Sequence, residues 1–168
     1  MSLVSWLRAP PMKALGVVAA IVLSAPMPAA LAAGPFERFL GVWTGGGQIV
    51  GSNGHRESMR CRAEYSEAKG GAALNQSIVC ASESFKFDIT SYSEASGDSL
   101  QGSWKEASRD VSGHMSGRIS EGQFVGEFNA PAFNAGISLT SNGRTQSVSI
   151  QPRGGDISEV HIELKRHG

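Results

Sequence analysis

Ser58-Met59-Arg60-Cys61-Arg62-Ala63-Glu64-Tyr65-Ser66-Glu67-Ala68-Lys69-Gly70-Gly71-Ala72-Ala73-Leu74-Asn75-Gln76-Ser77-Ile78-Val79-Cys80 is the stretch whose reading decides the fold. In its first half Met59, Cys61, Ala63 and Tyr65 alternate strictly with Ser58, Arg60, Arg62 and Glu64. In its second half Leu74, Gln76, Ile78 and Cys80 share one face. A period of two is that of a half-buried strand. Gly70-Gly71 between the halves suits the positive backbone angles of a tight hairpin. Setting Gly70 against Gly71 and reading outward pairs Tyr65 with Gln76, Ala63 with Ile78, and Cys61 with Cys80. The turn alone sets that register, and the cysteines agree with it independently. A bridge there closes a loop of about 20 residues and contributes roughly 3 kcal/mol on a chain-entropy estimate. The chain has no Cys-x-x-Cys and no histidine within a few residues of either sulfur. A structural disulfide is therefore expected, rather than a redox or metal pair.

The same period recurs on both sides of this hairpin. Upstream, a strand is expected at 41–50, carrying Val42, Trp43 and Ile49. Gly45-Gly46-Gly47 in its middle reads as close backbone packing or a bulge, not a phosphate loop. Before it, Pro35-Phe36-Glu37-Arg38-Phe39-Leu40 reads as one helical turn with Phe36, Phe39 and Leu40 on one side. The hairpin strands are placed at 57–66 and 73–82. Downstream, strands are expected at 84–92 with Phe85, Phe87 and Ile89, and at 99–106 with Leu100 and Trp104. Further strands carry Val111, Met115 and Ile119; Phe124 and Phe128; Phe133, Ala135, Ile137 and Leu139; Val148 and Ile150; and Val160, Ile162 and Leu164. The connections are short, so sequence neighbours should pair. A meander of about nine or ten strands removes its free edges most economically by closing. The expected fold is all-β: a single antiparallel meander barrel over 33–168.

Residues 1–32 read as a cleavable secretory signal. Arg8 and Lys13 are followed by the apolar run Ala14 to Leu23, then Pro26, Pro28 and the Ala30-Leu31-Ala32 site. A bilayer span takes roughly 20 apolar residues, about twice this core. With the first cysteine at position 61, lipid attachment at a new N-terminal cysteine is not expected. The expected location is the periplasm of a Gram-negative bacterium, or secretion, with no membrane span after cleavage.

Of the 15 basic residues, Arg8 and Lys13 lie in the leader, leaving 13 against 15 acidic residues. A net charge of about −2 argues against nucleic acid, whose binders need a basic stripe. His55, His114, His161 and His167 are scattered without metal-ligand spacing, so no metal site is read. There is no Gly-x-Ser-x-Gly elbow or phosphate-binding lysine motif. Glu94, Asp98, Glu106 and Asp110 flank turns and are expected to be solvated. No catalytic residue is assigned, and the chain is not read as an enzyme.

The passage Phe36 to Gly47, a short helical plug followed by Gly41-Val42-Trp43-Thr44-Gly45-Gly46-Gly47, resembles the opening of lipocalin-type barrels. It is also similar to the Gly-x-Trp-x-Gly-x-Gly of nitrobindin-type haem-binding barrels. Both resemblances imply that Trp43 closes one end of a barrel. The second implies haem with an axial histidine in the final strand, where His161 stands. Its alternation with Val160 and Ile162 places His161 on a solvent face instead, so no cofactor is assigned.

The functional expectation is a binding module for an apolar small molecule or lipid, with Trp43, Phe85, Phe87, Trp104, Phe124, Phe128 and Phe133 as candidate ligand-binding residues. The alternative is an envelope or protein-interaction module in which those aromatic residues fill the core. Gly113, Gly117, Gly122 and Gly126 favour a flattened, tightly packed barrel and hence the filled core.

Overall fold

The computed structural model describes residues 34–131 and 133–167. The export signal expected over 1–32 lies outside them. Ten antiparallel strands follow one another: β1 (Gly41–Gly51), β2 (Arg56–Ala68), β3 (Ala73–Ala81), β4 (Lys86–Ser96), β5 (Ser99–Glu106), β6 (Val111–Ser120), β7 (Gln123–Ala130), β8 (Phe133–Ser141), β9 (Thr145–Pro152) and β10 (Ile157–Arg166). Each pairs with its sequence neighbour, and β1 pairs with β10, so the meander closes into a lipocalin-like barrel. Closure leaves no free edge to template association.

Alternation decides which way each strand faces. On β2, Met59, Cys61, Ala63 and Tyr65 are buried while Arg60, Arg62 and Glu64 are exposed. On β10, Val160, Ile162 and Leu164 are buried between exposed His161, Glu163 and Lys165. Apolar residues face inward and polar residues outward, the reverse of a membrane-spanning barrel. No helix among the described residues is long and apolar enough to cross a membrane.

The central hairpin pairs as its turn dictates: Tyr65 with Gln76, Ala63 with Ile78, and Cys61 with Cys80. The two sulfurs are bonded. The loop is Lys69–Ala72, longer than a two-residue turn, with positive φ at Lys69, Gly70 and Gly71. The expected helical plug is a run of turns instead. Glu37 N–H donates to Gly34 O and Phe39 N–H to Phe36 O, and no longer ladder forms in so short a segment. Phe36 and Phe39 are nonetheless buried, and Ser141 Oγ donates to Arg38 O at 2.5 Å. The segment thus closes the end of the barrel that holds the β2–β3, β4–β5, β6–β7 and β8–β9 turns.

Gly45 and Gly47 face inward on β1, opposite Leu164 and Ile162. A Cβ at Gly45 would lie 2.0 Å from Glu163 O, and one at Gly47 2.2 Å from His161 O. They mark close packing, as expected; the irregularity in β1 comes later, between Val50 and Gly51.

Candidate functional site

The barrel is not filled. A cavity of about 460 Å³ runs through its interior, within the roughly 300–1,000 Å³ of small-molecule sites. The filled core expected as the alternative is not what the described residues form. At Gly113 and Gly117 a Cβ would strike the backbone oxygens of Asn129 and Val125 at 2.0 and 2.3 Å. The backbones of β6 and β7 approach closely there.

Six of the seven aromatic candidates line this cavity: Phe85, Phe87, Trp104, Phe124, Phe128 and Phe133. Trp104 is pinned where its indole N–H donates to His114 O at 3.1 Å, and its ring packs against Phe128 and Phe133 at centroid distances of 5.6 and 5.9 Å. Trp43 does not belong to the wall. Its ring is fully buried at the closed end, its indole N–H donates to Phe39 O at 2.7 Å, and the Arg166 guanidinium lies 5.5 Å from its centroid. Trp43 thus stands at the closed end and does not line the cavity.

The two ends of the cavity differ. Toward the closed end the lining residues Tyr65, Leu74, Ser93, Leu100 and Ile119 are all buried. At the other end Phe85, Phe87, Val111, Phe133 and Ile157 are half-exposed, and the turn residues Arg109, Gly154 and Asp156 complete the wall. This end, formed by the β1–β2, β3–β4, β5–β6, β7–β8 and β9–β10 connections, is the mouth.

Polar groups in the wall are few, and the sequence reading missed them. Glu106, expected in solvent, is buried with its side chain 7% exposed. Its carboxylate accepts the N–H groups of Asp88 and Ser108 at 3.0 Å and of Arg109 at 2.8 Å. Burial alone would push its pKa up, but these backbone donors and the Ser108 hydroxyl outweigh it and hold the carboxyl below its ordinary range. Its shared parity with Leu100 and Trp104 was the available signal. Glu94, Asp98 and Asp110 are exposed, as expected. Tyr65 lines the closed half, and its Oη finds no hydrogen-bond partner in the protein. Desolvation drives its pKa upward, so the phenol stays neutral.

His161 points away from the cavity. Its imidazole is half-exposed on the outer face of β10, with Nε2 3.0 Å from Glu163 Oε1. No histidine lines the cavity, so the described residues do not fit the axial position that the haem-barrel resemblance implies. No group of three or more metal-ligating side chains occurs among the described residues.

The fold is shared with solved structures. The protein Rv2717c from M. tuberculosis superposes with a TM-score of 0.64 at 14% identity, covering 79% of this chain and 95% of that one. An S-type phycobiliprotein lyase from Guillardia theta gives 0.57 at 10% identity, covering 79% and 90%. At such identities the likeness concerns the lipocalin-like barrel alone. No protein-family model and no curated protein sequence matches the chain.

Proposed function

We propose that the protein is an exported binding module that holds one apolar small molecule or lipid inside its barrel without transforming it. The observation that carries this reading is the aromatic-lined cavity of about 460 Å³ with a half-exposed apolar mouth. Burying apolar ligand surface contributes about 25 cal/mol per Å², so such a wall binds without a dedicated polar motif. The Cys61–Cys80 bridge supports an oxidising compartment, in keeping with the leader over 1–32. A phycobiliprotein lyase among the fold neighbours is in keeping with a barrel that meets small molecules, though fold alone does not carry function.

Native mass spectrometry of the protein isolated from its own compartment tests the reading. Expected is a one-to-one adduct that organic solvent strips away, or one that forms on adding a neutral apolar dye. The bare polypeptide mass under both conditions would contradict it.

A further inference from the structure

The chemistry of the ligand is written on the mouth, and the inference rests on the binding-module reading above. Three charged side chains reach the cavity wall: Glu106, Arg109 and Asp156. Glu106 is engaged by the protein, since its oxygens take three backbone N–H groups of its own turn and the β4 edge and it is ion-paired with Arg109. Asp156 is an exposed residue of the β9–β10 turn. In the ring order β10 stands five places from β5, so Asp156 lies across the mouth from the β5–β6 turn that carries Arg109.

Arg109 differs from both. Its guanidinium stands 4.9 Å from the Phe87 ring centroid, a cation–π distance. Its Nη1 donates to Lys86 O at 3.1 Å and forms a long ion pair with Glu106 Oε2 at 3.6 Å, beyond ordinary hydrogen-bond length. Among the described residues, Nε and Nη2 have no hydrogen-bond partner. The side chain is therefore anchored by one nitrogen and one ring face, while the rest of its fork remains available at the rim. It is 45% exposed, so an anion meeting it keeps part of its hydration and avoids the cost of a charge at the barrel centre.

We propose that the cavity takes a monoanionic amphiphile, an apolar body ending in a carboxylate or sulfonate, with the body inside the barrel and the head group on Arg109. A planar guanidinium donates to both oxygens of such a head, whereas a hydroxyl offers one acceptor and no charge.

Displacement of the neutral dye N-phenylnaphthylamine tests this, with dodecanoate and dodecanol as competitors of equal chain length at mildly alkaline pH. Expected is displacement by dodecanoate at about tenfold lower concentration than by dodecanol, an advantage that narrows at high salt. Arg109→Gln should abolish the advantage while dye and dodecanol still bind, which also shows that the variant is folded. Arg109→Lys should keep part of it. Equal competition by the two, or equal weakening of both in Arg109→Gln with the dye still bound, overturns the head-group assignment and leaves the cavity standing. A wild-type protein that binds no dye removes the cavity reading and this inference with it.

Discussion

Glu106 and Tyr65 are two polar side chains set into an apolar wall, and their environments have opposite consequences. The Glu106 carboxylate folds the β5–β6 turn around itself by accepting from Ser108 and Arg109 and ties that turn to Asp88 at the β4 edge. Its pKa is depressed in the folded chain, so its stabilisation is fully present above the unfolded value of about 4.3 and is lost as pH falls through the folded value. Glu106→Gln should cost about 1–3 kcal/mol at neutral pH. It should also flatten the fall of stability below the unfolded carboxyl pKa, as read from urea midpoints across acid pH. Tyr65 runs the other way, because its buried Oη gains no hydrogen bond within the protein. Tyr65→Phe should leave the ligand-free protein as stable or stabilise it by about 1 kcal/mol. Its raised pKa means that the unfolded chain ionises first as pH climbs above about 10, so wild-type stability falls there and the variant's falls less. Urea unfolding of both proteins across alkaline pH measures the difference.

Among the elements, the β2–β3 hairpin carries the cross-link. Cys61 and Cys80 are directly opposed and both buried, and Cys80 lines the cavity. Cys61→Ser with Cys80→Ser should lower stability by about 3 kcal/mol on the chain-entropy estimate without changing the register, which the turn and the alternation already specify. Denaturant unfolding of the double variant beside wild type checks the magnitude. This hairpin was legible in the sequence because period, turn and cysteines point to one pairing. β4 was less so: it runs on to Ser96, where Ser93 and Ala95 face inward with too little apolar character to extend the pattern. β9 hides in the same way, since the buried Gln146 shares the inward parity of Val148 and Ile150 but is polar and does not extend their apolar pattern. The aromatic part of the wall could be read from alternation. Arg109 could not, because a charged residue beside a turn looks the same whether it packs at the rim or trails into solvent. Glu106 shares the inward parity of Leu100 and Trp104, but its charge beside a turn reads as solvated. Trp43 shows the converse: its parity marks it as interior, while its hydrogen bond to Phe39 O in the turn over 34–40 places it at the closed end and not along the cavity wall.

At the scale of the whole molecule, ten strands in sequence order enclose a volume that no single strand encodes. Inward glycines such as Gly113 and Gly117 let adjacent backbones approach closely. Closure through β1 and β10 then leaves one end sealed by Phe36, Phe39 and Trp43, and the other rimmed by half-exposed Phe85, Phe87 and Phe133. Access from the mouth into an apolar interior is the central claim. The most direct measurement is a fluorescence titration of N-phenylnaphthylamine into wild type and into Ile89→Trp, a substitution that adds an indole to the cavity wall. Expected is one saturable site per chain in the wild type, weakened at least about tenfold in a variant whose circular dichroism is unchanged, since the added bulk occupies the ligand's volume. No saturable binding by the wild type, or equal affinity in both proteins, would contradict it.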